Sequence, residues 1–240
     1  MASMGEQPRK EYYLRSMGID VWVRRPDPNV IELAESGVVQ PATLGSEPDP
    51  SAPLSWDELR REVTGCTACG LHQNRTQTVF GVGNENARWM VIGEAPGADE
   101  DRQGEPFVGR AGQLLNRMLL ALGLARSDVF IANILKCRPP NNRDPQLEEV
   151  AHCQPFLMRQ IELINPGVIL AVGRIAAQHL LGSTQSLGKL RGELHALPSR
   201  PTPVVVTYHP AYLLRSPQDK HKAWEDLCLA KRHLDHTAAS

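Results

Sequence analysis

The run Trp89-Met90-Val91-Ile92-Gly93-Glu94-Ala95-Pro96-Gly97-Ala98-Asp99-Glu100-Asp101 decides the architecture. A strand-length apolar stretch stops at Gly93 and gives way to an acidic loop rich in Gly and Pro. Val129–Leu135, Val168–Val172 and Val204–Tyr208 repeat the β-rich pattern, while 110–123, 146–164 and 174–181 carry apolar residues at helical spacing and a polar-faced helix closes the chain at 218–235. Strands that are continuous apolar runs, alternating with helices, predict a parallel sheet covered on both faces. The expected fold class is therefore α/β, three layers (α/β/α) around a central, mostly parallel four-stranded sheet. Ligands of such sheets bind beyond the carboxyl ends of the strands, where this sequence concentrates its unusual residues.

The chain has 240 residues, 41% of them hydrophobic and 5% aromatic, with 26 basic and 27 acidic side chains. Such a composition excludes collagenous and wholly disordered chains. No apolar run approaches the roughly 20 residues needed to cross a bilayer. The polar, charged N-terminus predicts no secretory segment, and five cysteines without a disulfide pattern point to a reducing, cytoplasmic compartment of bacterial type. Charge is uneven: residues 26–53 carry −5, six prolines and no aromatic, whereas 1–25 and 54–240 carry +2 each. The middle stretch lacks the apolar content to offset ordering and is expected to be a disordered tether. That gives three parts: a short partner-binding segment at 1–25, the tether at 26–53 and one folded domain at 54–240, so that the core is preceded by a flexible N-terminal extension. In the first part Tyr13, Leu14, Met17, Ile19 and Trp22 are apolar anchors, and a helix over 10–17 would end at Gly18 with Ile19 packing back on Leu14. A segment this small needs a partner surface, either the protein's own core or another protein.

Several strand-end residues suit chemistry. Glu94 is placed to orient or deprotonate a water, and Gly109-Arg110-Ala111-Gly112 opens a helix whose backbone N–H groups suit a phosphate. Phe107, between Pro106 and Gly109, is either a core plug or a stacking platform for a ring. Asn133, in a β-branched run, has an amide that donates and accepts side by side, as a nucleobase edge requires. His209 precedes Pro210, which fixes an extended backbone and presents the imidazole rigidly. Cys66 and Cys69 form a two-residue-spaced clip, Cys137 follows a strand and Cys153 lies in a helical stretch. Four converging thiolates suit zinc or an iron–sulfur cluster, and the spacing does not choose between them. Cys228, alone in the last helix, is read as a buried or surface thiol.

Together GEAPG at 93–97, PFVGRAGQLL at 106–115, NILKCRPP at 133–140, HPAYLLR at 209–215 and the four cysteines closely resemble the family 4 uracil-DNA glycosylases, over essentially all of 54–235. The resemblance implies a uracil-glycosylase fold and a [4Fe–4S] cluster held by Cys66, Cys69, Cys137 and Cys153. It implies that Glu94 positions the attacking water and His209 stabilises charge on the uracil O2. Gly93, Glu100, Phe107 and Asn133 would bind the flipped uracil, Phe107 by stacking, Asn133 at the pyrimidine edge and Glu100 by closing the pocket against a C5 methyl. Tyr212, Leu213 and Leu214 are candidates for the wedge filling the vacated stack, with Arg215 on a flanking phosphate. Gly109, Arg110, Gly188, Lys189 and Arg191 would complete a backbone clamp, and the cluster would bring Arg138 and Arg143 near DNA. Family 5 relatives lack the counterpart of Glu94 and match less well.

The segment KEYYLRSMGIDVWVRRP at 10–26 resembles the N-terminal peptide of the psi subunit of the bacterial DNA polymerase III clamp loader. That likeness implies a tether to clamp-loader subunits. The expected protein is thus a monomeric, monofunctional, nucleoid-associated repair glycosylase acting on uracil in single- or double-stranded DNA. The competing readings are a catalytically inactive DNA-binding adaptor on the same fold and a zinc hydrolase. Glu94, Phe107, Asn133 and His209 occurring together argue against the first. Four thiolates, which would close a zinc site to substrate water, argue against the second.

Overall fold

A computed structural model describes residues 54–238; the helix expected at 10–17, the tether at 26–53 and the extension they form lie outside the described residues. The first element, α1 (Trp56–Gly65), starts at a capping box: the Ser55 hydroxyl accepts from the Glu58 N–H, and the Glu58 carboxylate accepts from the Ser55 N–H at 2.8 Å. Then follow β1 (Val82–Gly83), β2 (Trp89–Gly93), α2 (Ala98–Gln103), α3 (Arg110–Ala121), β3 (Val129–Asn133), α4 (Leu147–Ile164), β4 (Val168–Val172) and α5 (Arg174–Leu181). The chain ends with α6 (Leu187–Leu190), β5 (Leu194–Leu197), β6 (Arg200–Thr207), α7 (Pro210–Arg215) and α8 (Lys220–Ala238).

The four expected strands lie side by side and parallel as β3-β2-β4-β6, in a six-stranded sheet of order β1-β3-β2-β4-β6-β5. The edges β1 and β5 pair antiparallel and had no apolar run to announce them. Alternation divides each central strand between two cores. Met90, Ile92, Phe130, Ala132, Ile169, Ala171, Val204 and Val206 face one side, with Leu59 and Val63 of α1, Val150, Leu157 and Ile161 of α4 and Leu180 of α5. Trp89, Val91, Val129, Ile131, Val168, Leu170, Val172 and Val205 face the other, with Leu115 and Leu119 of α3 and Leu227, Ala230 and Leu234 of α8. Three layers result, as expected. Each fully buried Leu or Ile contributes about 1.5–3 kcal/mol, so the parallel register is fixed from both faces. Among the described residues no helix is long and apolar enough to cross a membrane.

Candidate active site and cysteine cavity

The carboxyl ends of β2, β3 and β6 open on a cleft of about 550 Å³, lined by Glu94, Glu100, Phe107, Asn133, Asn142, Asp144, His209, Tyr212 and Arg215 among others. Gly93, the last residue of β2, abuts two of these lining residues. A Cβ there would lie 2.5 Å from Asn133 Oδ1 and 2.7 Å from Phe107 Cζ, so the narrow slot between amide and ring exists only with glycine. Phe107 is 7% exposed and adopts φ +54°. That left-handed backbone costs about 1–2 kcal/mol in a bulky residue. It is held from two sides: Gly112 packs so closely that a Cβ would meet the Phe107 carbonyl, and Arg126 donates to the carbonyls of Pro106 (2.5 Å) and Phe107 (3.4 Å).

Asn133 is 2% exposed, and its Oδ1 has no hydrogen-bond partner. Lys136 holds the backbone behind it, Nζ donating to the Asn133 carbonyl at 3.0 Å and to Gln160 Oε1 at 2.6 Å. His209 caps α7, the Ala211 N–H donating to its Nδ1 at 3.1 Å, so the neutral ring carries its proton on Nε2. Burial, helped by the nearby Arg215 cation, pushes its pKa down to about 4 against the opposing pull of Glu100. The ring stacks on Phe107 at 5.6 Å and 30°. Glu94 is half-buried, and burial pushes its pKa up to about 7; Asp144 adds to the rise and Arg174 opposes it. Asp144 itself accepts from Arg174 at 2.9 Å.

Several expectations change. Glu100 lines the cleft, but its carboxylate accepts from the N–H groups of Gly97 (3.1 Å), Val108 (3.1 Å) and Gly109 (3.4 Å), bracing the Phe107 loop. The Gly109 N–H is thereby taken and not left for a phosphate, while Arg110 stays exposed. Leu213 is 1% exposed and packs into an apolar groove between α3 and α8, which removes it as a wedge; Leu214 is 37% exposed. The Tyr212 ring stacks on Tyr208, and its hydroxyl donates to Asp219 at 2.6 Å. Arg191 pairs with the buried Asp226, leaving Lys189 and Gly188 exposed on α6. Arg143 pairs with Glu149 and Arg138 donates to Asn142. Asn142, Asp144, Arg126 and Lys136 were not singled out from sequence, because their roles depend on partners far along the chain.

Beyond the β3 end, Cys66 after α1, Cys69 four residues after Gly65, Cys137 and Cys153 of α4 line one small cavity together with His72, Arg75 and His152. The Arg75 guanidinium donates to Cys137 Sγ at 3.1 Å. No three His, Cys, Asp or Glu side chains among the described residues have the spacing of a single-ion site. Four thiols around one enclosed space are a donor set for an iron–sulfur cluster. Cys228 sits in α8, apart from them.

The Uracil DNA glycosylase superfamily model matches residues 80–228, more than half the chain. A type-4 uracil-DNA glycosylase of Archaeoglobus fulgidus is 47% identical over 170 residues, 68% of this chain and 85% of its own. One from Thermotoga maritima is 50% identical over 160 residues, 66% and 82% respectively. A type-5 enzyme of Pyrobaculum aerophilum reaches 36% over 55% of this chain, in keeping with the weaker match expected of that family. Fold, cleft and sequence agree, and the chain belongs to the type-4 uracil-DNA glycosylases.

Proposed function

We propose that this protein is a monofunctional glycosylase that flips uracil out of single- or double-stranded DNA and hydrolyses its N-glycosidic bond, leaving an abasic site for base excision repair. One observation carries the reading: the unpartnered Asn133 Oδ1, buried beside the Phe107 ring in the cleft. A buried acceptor without a donor costs about 1–3 kcal/mol, and a pyrimidine sliding under Phe107 offers its N3–H there. Uracil has that N–H; cytosine has an acceptor at the same place.

The chemistry follows from the same side chains. As the C1′–N1 bond breaks, its electron pair moves into uracil and negative charge gathers on O2. The neutral His209 Nε2–H is a donor suited to that oxygen, and its low pKa keeps it uncharged throughout the physiological range. The sugar left behind is oxocarbenium-like. Glu94, once deprotonated, orients a water toward C1′ and accepts its proton as the C–O bond forms. Phe107 stacks on the base, Gly93 gives it room, Glu100 braces the loop above, and Leu214 fills the vacated stack with Arg215 and Arg110 toward phosphates.

Cys66, Cys69, Cys137 and Cys153 would hold a [4Fe–4S] cluster, whose contribution is to cross-link α1, the β3 end and α4. Residues 54–240 form the catalytic domain in this reading, with 26–53 as an acidic Pro-rich tether and 1–25 as the partner-binding part. The likeness of 10–26 to the clamp-loader psi peptide supports delivery of a monomeric enzyme to clamp-loader subunits, in the bacterial cytoplasm at the nucleoid. Capture of the clamp-loader collar by the 10–26 peptide, lost in Trp22→Ala, is the expected result; no binding at micromolar concentration would rule the tether out.

The decisive assay is base release from a uracil-containing oligonucleotide in EDTA, read by alkaline scission, beside a thymine control. Release at uracil alone, slowed about 10²–10³-fold by His209→Ala with binding retained, is expected. No release by an iron-replete preparation would overturn the enzymatic reading in favour of a DNA-binding adaptor.

A further inference from the structure

We propose that Arg191 and Tyr208 are positioning residues that hold α7, the helix carrying the Leu214 wedge, in its base-opening pose; the inference rests on the glycosylase reading above. Arg191 follows α6, far from the reacting atoms in sequence. Its side chain is 14% exposed and grips Asp226, whose side chain is fully buried, with Nε at 3.1 Å and Nη2 at 3.0 Å. Nη2 also donates to the Lys222 carbonyl at 2.6 Å. So fixed on α8, the guanidinium lies over the Tyr208 ring, 5.4 Å from its centroid. Tyr208 stacks on Tyr212 of α7 at 5.1 Å and 17°. The Tyr212 hydroxyl returns to Asp219 at 2.6 Å, and Asp219 pairs at 2.8 Å with Lys222, whose carbonyl is one of the anchors of Arg191.

Contacts thus run in a closed ring: Arg191, Tyr208, Tyr212, Asp219, Lys222 and back to Arg191. All five side chains carry charge or a hydroxyl, yet only Tyr212 among them lines the cleft. The ring holds α7 through Tyr212. This six-residue helix is too short to hold itself, since helices below about 12 residues are marginal without tertiary support. Ala211, Tyr212 and Arg215 face the cleft while Leu214 stands exposed beside them, so a tilt of α7 moves the wedge directly. Prising a base from a duplex loads that helix with the force of unstacking; taking a base from a single strand scarcely does. The ladder therefore serves duplex substrates selectively.

The experiment compares wild type, Tyr208→Leu and Arg191→Lys on one uracil placed in a duplex and in the same strand alone. Tyr208→Leu cuts the ladder and leaves the Arg191–Asp226 pair intact. Arg191→Lys keeps a cation beside Asp226 but loses the planar stack. Both variants are expected to lower duplex excision about 5- to 10-fold, the worth of one aromatic contact, with single-strand excision held within about twofold. Fluorescence of 2-aminopurine beside the uracil reads base opening without excision and should fall with the duplex rate. Equal losses on both substrates, or no loss on either, would overturn the proposal. Failure of wild type on both strands, with the fluorescence still responding to the variants, would instead overturn the glycosylase reading.

Discussion

Glu94→Gln separates what the site needs from what the fold prefers. Burial holds the Glu94 carboxyl at a pKa of about 7, against 4.5 for the free side chain. At 1.36 kcal/mol per pKa unit the charged form is disfavoured in the folded state by about 3.4 kcal/mol. The side chain is only half-buried, at a cleft water reaches, so about half that figure, 1.5–2 kcal/mol, is the working value. The sign follows from the raised pKa. Stability tied to the neutral form is fully present below about pH 4.5, declines as pH rises from 4.5 to 7, and is gone above. Glutamine never ionises, so the variant should melt about 3–8 °C above wild type at pH 8, with the gap closing toward pH 4. Its excision rate should fall about 10²–10⁴-fold at pH 8. Wild-type turnover should rise with pH and level off above about 7. The variant should be flat from pH 5.5 to 8.5, because His209 is neutral throughout that range. Scanning calorimetry and single-turnover excision on iron-replete protein read both. Equal melting temperatures at pH 8, or a wild-type rate indifferent to pH between 5.5 and 8, would refute the assignment of Glu94.

Asp144→Asn removes the second cause of the Glu94 shift, so the acid limb of the pH–rate profile should move to lower pH, by less than the whole shift because burial is the larger cause. Asn133→Leu replaces an unpaired buried acceptor by an isostere: stability should hold or rise by about 1 kcal/mol in a denaturant titration, while excision falls at least about 10²-fold. A large loss of stability would mean that Asn133 serves the fold. Cys153→Ser should lower bound iron and absorbance near 400 nm together, and full iron content in that variant would exclude Cys153 as a ligand. Its melting temperature should drop as well, since α4 would lose its link to α1.

How much was legible in the sequence tracks how local each cause is. β2 and β4 begin and end where their apolar runs do, and α5 spans the expected 174–181, because burial on both sheet faces writes itself into consecutive residues. β5, at the sheet edge, is exposed or half-buried except at Leu197 and left no such run. The cleft residues at strand ends were visible as odd residue types in places the fold class already marked. Charge pairing was not. Arg126 reaches back 20 residues to Pro106, and Arg191 and Asp226 stand 35 positions apart, so Arg191, read as a DNA contact, became a strut. Leu213 and Leu214 are chemically identical neighbours, and only the packing of α7 on α3 and α8 decides which one is free.

The cleft gathers features that each work against folding. Phe107 has a backbone that bulky residues avoid, Asn133 keeps an acceptor dry and unpaired, Glu94 resists ionisation, and His209 is buried where its charged form is disfavoured. Any one has a structural explanation somewhere in a protein. Four within one cleft, on three different strand ends and a loop, do not share a structural one, since buried positions serve the fold better with hydrophobic residues. They do share a chemical one. A uracil nucleotide with its base under Phe107 would present an N–H to the lone acceptor, an oxygen that becomes negative to the neutral imidazole, and a sugar C1′ that becomes positive to the carboxylate. The groups that weaken the fold are the ones a reacting uracil nucleotide would satisfy, which is why substitution of Glu94 or Asn133 should raise stability and lower activity together.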